Sequence, residues 1–339
     1  MLSVMSSVQS RIPVALIGAI LISFVLGSSA INARAHLSAT LTRQALADIS
    51  ETPTPAREAS LTPTLPYSQT PTLPREASPT PTLTSTRTPR PTITLTPSPW
   101  PTPDGNARQR EVKVPILMYH HVGPLPEKPD RIRIGLTILS DHFEEQLKFL
   151  DQRGYESIDL YQMQYALALG WPLPEKPVVF TFDDAYEDIY QHAFPLMKQY
   201  GYTGTVFVPT QFIDEKREGY MSWEQALELY HAGWRLEPHT KTHEEVDGRG
   251  RDFQVYQILG SMETLKYYLG YQPRFFAYPA GKYDDNAIQV LKEVGYWGAV
   301  TTDSAQYHRL ANAYTWGRVR VSGFENLQDL ANRLGEKYP

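Results

Sequence analysis

The sequence predicts a parallel α/β sheet or barrel behind an N-terminal apolar segment and a long spacer. Three observations lead there. Continuous apolar runs alternate with amphipathic stretches from Val112 onward, at intervals of roughly 25–40 residues, as strand–helix repeats require. Glycine or proline closes most of the amphipathic stretches. Half of the 28 prolines, 14 of them, fall between Glu51 and Pro103 beside 15 threonines, which leaves the folding material to the last two-thirds of 339 residues.

The elements follow in order. VPILMY (114–119) has a buried-strand pattern. Phe143, Leu147 and Leu150 share a helix face that Gly154 ends. PVVFTF (177–182) is apolar throughout, as a strand covered on both faces must be. Pro195 can open a turn that ends at Gly201, and GTVFVP (204–209) is the next strand. Ser222 and Gln225 form a capping box ahead of a helix closing at Gly233. WRLEPH (234–239) is a short strand. Leu259, Met262, Leu265 and Leu269 mark a further helix face before Gly270. RFFAYP (274–279), a helix over 285–294 and WGAVTT (297–302) complete six or seven strands.

Residues 12–31, IPVALIGAILISFVLGSSAI, carry no charge and as a helix would span ~30 Å, one hydrocarbon core. They read as an uncleaved membrane anchor or as a secretory signal cut near Ala33-Arg34-Ala35. The Thr/Pro-rich stretch that follows is an extended, semi-rigid spacer at ~3.1 Å per residue. The expected layout is therefore anchor or signal over 1–35, disordered linker over 36–110 and one folded domain over 111–339, outside the cytoplasm. Residues 1–110 hold nine Arg and five acidic residues. Subtracting these from 32 basic and 37 acidic leaves 23 and 32, so residues 111–339 carry about −9. An acidic domain without a basic stripe argues against nucleic acid as partner. With no cysteine, thiolate metal sites and cysteine nucleophiles are excluded.

Chemistry concentrates at three predicted strand ends, where α/β folds place their sites. Thr181-Phe-Asp183-Asp184 puts two carboxylates straight after a buried strand; neighbours on extended chain point apart, so one can bind a metal while the other faces substrate. The bland alternative is that one merely caps the next helix. His239-Thr-Lys-Thr-His243 spaces two imidazoles to share one face of a helical turn, unless they are unrelated surface histidines. Asp184 with His239 and His243 makes a three-donor site with open positions, the catalytic zinc pattern; cobalt, nickel or iron also accept such donors. Tyr119-His120-His121 ends the first strand, where a histidine can equally be core or surface. Asp284 and Asp285 read as helix caps. Trp223 reads as packing, or as the wall of a sugar groove.

Taken together, ILMYHHV, TFDDAYEDIY, GYTGTVFVP, MSWEQALEL, EPHTKTHEEV, FAYPAGKYDDNAI and GAVTT resemble the polysaccharide deacetylases with a NodB homology domain, carbohydrate esterase family 4. The likeness covers about 112–322. The tyrosine–histidine pair ahead of TFDD resembles the circularly permuted branch that includes poly-N-acetylglucosamine deacetylases. This resemblance implies a distorted (β/α)7 barrel and metal-dependent removal of N-acetyl groups from a cell-surface polysaccharide. It implies Asp183 as general base, Asp184, His239 and His243 as metal ligands, His120 as general acid and the Ala280 N–H as oxyanion donor, with no role for His121. Two departures stand out. Ala277 occupies the place of the family's base-holding arginine, for which Arg318 in WGRVRV is the candidate replacement. Glu237 and Pro238 precede the first ligand histidine where small residues are usual. Two other readings of the residues remain: hydrolysis of a different C–N or ester bond on the same fold, and a non-catalytic glycan-binding surface module.

Overall fold

The computed structural model describes residues 101–338. The apolar segment 12–31 and the proline-rich stretch to Trp100 lie outside them. In chain order the strands are β1 (Glu111–Lys113), β2 (Ile116–Tyr119), β3 (His121–Val122), β4 (Thr137–Ile138), β5 (Glu156–Ser157), β6 (Pro177–Phe182), β7 (Gly204–Val208), β8 (Arg235–Pro238), β9 (Phe275–Ala277), β10 (Gly298–Val300), β11 (Tyr307–Arg309) and β12 (Val319–Arg320). The helices are α1 (Arg131–Leu136), α2 (Ser140–Gln152), α3 (Leu160–Leu169), α4 (Phe194–Gln199), α5 (Thr210–Asp214), α6 (Trp223–His231), α7 (Arg251–Leu269), α8 (Asp285–Val294) and α9 (Leu327–Leu334).

The parallel sheet predicted from the apolar runs is present. Its order is β12-β2-β6-β7-β8, with β5 beside the start of β6. Every pairing in it is parallel, with Leu117 opposite Phe180, Phe182 opposite Val206, and Phe207 opposite Glu237. A second parallel pair, β9 and β10, sets Phe276 against Ala299. Val300 bridges to Trp316, just ahead of β12. Both faces of β6 are buried: Val178, Phe180 and Phe182 enter one core cluster while Val179 enters another with Ile116, Phe207 and Phe275. Strand alternation under cover on both sides produces this division, which is why the run is apolar throughout.

Several local signals act as expected. The Ser222–Gln225 capping box closes with both hydrogen bonds at the start of α6, and Asp284 caps α8 through the Ala287 N–H. Three details differ. Pro195 sits in the first turn of α4, but helical backbone begins earlier, in a π-turn over 189–193. The buried face of α7 is Ile258, Ser261, Met262, Leu265 and Leu269 with Gln254 and Gln257, while Leu259 is only half-buried; buried polar side chains broaden the stripe beyond the aliphatic ones. The antiparallel pair β1–β11 has no apolar signature, because its outer residues are largely exposed. Among the described residues no helix is long and apolar enough to cross a membrane.

Between β8 and β9 side chains take over from a backbone ladder. The Glu237 carboxylate accepts from Arg274 N (2.9 Å), Phe275 N (2.7 Å) and the Tyr161 hydroxyl (2.8 Å), while the Tyr271 hydroxyl donates to Leu236 O (3.1 Å). Burial pushes the Glu237 carboxyl up to about 7, against the downward pull of its donors and of Arg235. A carboxyl raised on folding adds stability below its unfolded value of 4.5, and that contribution fades as pH climbs through 7. Glu237→Gln should therefore remove a decline in unfolding free energy between about pH 5 and about pH 7. Urea denaturation across that range checks it; parallel profiles for the two proteins would contradict it.

Candidate active site

All the predicted residues but Arg318 come from the carboxyl ends of parallel strands. His120 follows β2, Asp183 and Asp184 follow β6, His239 and His243 follow β8, and Ala280 lies in a 3-10 turn after β9. Arg318 immediately precedes β12. Parallel strands bring their carboxyl ends to one edge, so residues distant in sequence meet there.

Asp184, His239 and His243 offer three ligand atoms within 4.8 Å of one another. Asp184 Oδ1 lies 2.9 Å from His243 Nε2 and 3.5 Å from His239 Nε2. The other ring nitrogen of His239 faces a carbonyl, Nδ1 to Ala277 O at 2.8 Å, so Nδ1 carries the hydrogen and Nε2 presents its lone pair to the cluster. Burial pushes His239 down to about 4, despite the nearby carboxylates, and so keeps it neutral near pH 7. Burial raises Asp184, yet the close imidazoles of His243 and His239 outweigh it and hold the carboxyl low. Asp184 Oδ1 is buried and meets no well-aligned donor. A buried anionic oxygen and two converging imidazole nitrogens fit a divalent cation.

The backbone here is strained. Asp184 (φ 73°), Ala185 (φ 55°), Thr240 (φ 61°), His243 (φ 59°) and Ala280 (φ 54°) are left-handed without being glycine. The expectation that His239 and His243 share a helical turn is corrected: 239–243 is irregular loop, and left-handed Thr240 and His243 return the second imidazole to the first. The i, i+4 spacing found the pair for the wrong geometric reason.

The Asp183 carboxylate is held by a guanidinium. Arg318 Nη1 and Nη2 each donate to one of its carboxylate oxygens at 2.7 Å. Arg318 has no exposed surface; its Nε donates to Thr301 O (2.9 Å) and Nη1 also to Thr181 Oγ1 (3.1 Å). Burial would raise Asp183, but the Arg318 charge and hydrogen bonds prevail and hold it ionised. His120 Nε2 stands 3.9 Å from Asp183 Oδ2; burial lowers this imidazole while Asp183 and Asp184 pull it up. Arg318, the candidate for the role of the arginine whose place Ala277 occupies, forms a buried bidentate pair with Asp183.

His121 is turned elsewhere. Its Nδ1 meets Asp188 Oδ2 at 2.7 Å and its ring stacks on Tyr186 at 3.6 Å. Trp223 stacks on Tyr268 (3.8 Å) and its Nε1 donates to Asp214 Oδ1. Sequence reading missed Tyr186, whose ring stacks on His121, and Thr181, which braces Arg318. Tyr186 lies two residues past Asp184 in an irregular turn, where no periodicity points to it.

The fold is one shared with solved polysaccharide deacetylases. The polysaccharide deacetylase family matches residues 171–299, which include the two aspartates, the two histidines and Ala280; His120 and Arg318 fall outside that span and are brought in by the fold. YxkH of Bacillus subtilis (strain 168), named as a polysaccharide deacetylase, is 30% identical over 214 residues, covering 63% of this chain and 73% of that one. The poly-β-1,6-N-acetyl-D-glucosamine N-deacetylase of Escherichia coli (strain K12) is 25% identical over 59% of this chain but only 36% of its own length. The Streptococcus pyogenes deacetylase PplD, solved in complex with acetate, superposes with a TM-score of 0.62 at 26% identity over 66% of this chain and 99% of its own. The chain belongs to the polysaccharide deacetylase family, whose members depend on a divalent metal.

Removing Arg318 leaves the Asp183 charge buried and alone. Arg318→Met should cost about 3–5 kcal/mol of unfolding free energy. Guanidinium denaturation reads it, and a loss below about 1 kcal/mol would show that the pair is dispensable.

Proposed function

We propose that the chain hydrolyses the acetamide of N-acetylglucosamine units in a cell-surface polysaccharide, releasing acetate and leaving a free amine on the sugar. One observation carries this reading: an ionised carboxylate, Asp183, is fixed by Arg318 directly beside a three-donor cation site. Asp184, His239 and His243 would hold the ion, with zinc favoured by the donor set and cobalt, nickel or iron able to substitute. A divalent ion held there supplies Lewis acidity, which activates water and polarises an acetyl carbonyl.

The chain's own residues do the rest. Asp183 takes the proton of the attacking water; Arg318 keeps it ionised and aimed. The backbone N–H of Ala280 donates to the oxygen that gains charge as the carbonyl becomes tetrahedral, a contribution typically worth ~10²–10³ in rate. His120, in its protonated form, delivers a proton to the departing nitrogen, which then leaves as an amine. Water's two hydrogens and hydroxyl oxygen are thereby divided between sugar amine and acetate. The family supplies the substrate class, and the likeness to a poly-β-1,6-N-acetyl-D-glucosamine N-deacetylase favours a glucosamine polymer.

The same reading covers the architecture and setting. The seven parallel strands β2, β6, β7, β8, β9, β10 and β12 would make up the distorted (β/α)7 barrel, its seams supported by Glu237 and the Val300–Trp316 bridge. Residues 12–31 would anchor the chain to a membrane, or direct its secretion, and 36–110 would hold the domain of 111–339 away from the surface.

Acetate release from N-acetylglucosamine polymers, with and without chelator, tests the reading. Asp184→Ala and His239→Ala should lose bound metal and activity together. Asp183→Asn should retain metal while turnover falls by ~10²–10⁴; full turnover in that variant would remove Asp183 as base. His120→Ala should be far more damaging than His121→Ala, and the reverse ranking would transfer the acid role.

A further inference from the structure

Two of the three cluster donors sit on one five-residue loop, 239–243, whose backbone is unfavourable. Left-handed Thr240 and His243 each cost on the order of 1–3 kcal/mol, and such conformations persist only where the surroundings over-determine them. The surroundings include one side chain outside the loop, Gln257 of α7, buried at 1% exposure. Its Oε1 accepts from the backbone N–H of Lys241 (2.9 Å) and of Thr242 (3.0 Å), and its Nε2 donates to Thr242 Oγ1 (2.6 Å). From the opposite side α5 contributes backbone, Gln211 N to Lys241 O at 2.9 Å and Thr210 N to Thr240 O at 3.4 Å. The Lys241 stem lies across α7 at Gly260, where an added Cβ would stand 3.2 Å from Lys241 Cδ. One amide thus grips the apex of the loop midway between the two imidazoles, with three bonds at its disposal.

We infer that Gln257 is a positioning residue for the metal site: it holds the 239–243 backbone in the shape that brings His243 to His239 and Asp184. Gln257 touches neither ligand ring nor substrate. It acts through the peptide groups of Lys241 and Thr242, and its role rests on the cation-binding part of the proposed function. Without it the two N–H groups face an apolar side chain, the loop gains a reason to leave its left-handed turns, and His243 drifts from the cluster. A glutamate there keeps the acceptor for both N–H groups, and the Thr242 hydroxyl can rotate to donate to it. Losing the Thr242 hydroxyl removes one bond of the three.

The test measures cobalt(II) and zinc(II) affinity of the full-length protein by competition with a chromophoric chelator, beside the visible spectrum of the cobalt form. Gln257→Leu should weaken metal binding by ~10–100-fold, the range seen when groups that orient ligands are lost, and should alter the cobalt spectrum. Thr242→Val, which removes the bond from Gln257 and the exposed Thr242–Glu244 bond (3.2 Å), should weaken it by ~2–10-fold. Gln257→Glu should stay within about threefold of the native protein, which a merely space-filling role would not predict. Native affinity and spectrum in a folded Gln257→Leu protein would overturn the inference, as would equal losses in the Leu and Glu variants. Should Gln257→Leu fail to fold, native affinity in Thr242→Val overturns it instead. A native protein that binds neither ion would sink the proposed function itself, and the positioning role with it.

Discussion

The Arg318–Asp183 pair is the interaction on which the site depends. A guanidinium without solvent contact is tolerable only if its charge is matched and its donors are used. Here both carboxylate oxygens, the Thr301 carbonyl and the Thr181 hydroxyl meet that demand. Those partners belong to the ends of β6 and β10, while Arg318 itself leads into β12. One side chain therefore ties the end of β10 to two strands of the main sheet, β6 and β12, that are joined to each other only through β2, and it does so at the point where Asp183 must be held still. The same pairing keeps Asp183 ionised inside the protein, where burial alone would favour its acid form. Structural closure and chemical preparation are one requirement met by one residue.

Around this pair the molecule concentrates its strain. Five of the six left-handed non-glycine residues among those described lie in the loops that carry the site. Extended backbone already sends the Asp183 and Asp184 side chains to opposite sides, and the left-handed steps at Asp184 and Ala185 turn the chain directly after them. The same device at Thr240 and His243 folds a loop back on itself. These conformations are held by buried cores on both faces of the sheet and by hydrogen bonds from flanking helices, and the site is rigid because its scaffold leaves those loops no easier arrangement.

Much of this was legible in the sequence, for identifiable reasons. The β6 strand was plain because both its faces are buried, and α6 and α8 because Ser222, Gln225 and Asp284 cap them with local side-chain bonds. Asp183, Asp184, His239 and His243 were found because their residue types are unusual directly after apolar runs. Arg318 was reached only by noticing that Ala277 stands where an arginine belongs. What escaped notice depends on tertiary placement: the Glu237 bonds that join β8 to β9, the left-handed loop between the histidines, and Gln257, a buried amide on a helix whose polarity reads as exposure. Periodicity reports which face is covered, and it is silent about polar groups buried because another backbone needs them.

The central claim is that Asp184, His239 and His243 grip one divalent ion beside Asp183. Anomalous X-ray scattering at the zinc edge, from crystals of the active protein, tests it most directly. The account predicts a single strong peak ~2.0–2.2 Å from one Asp184 oxygen and from a ring nitrogen of each histidine. A fully active crystal with no anomalous density at those three side chains, or with its zinc bound elsewhere, would contradict it.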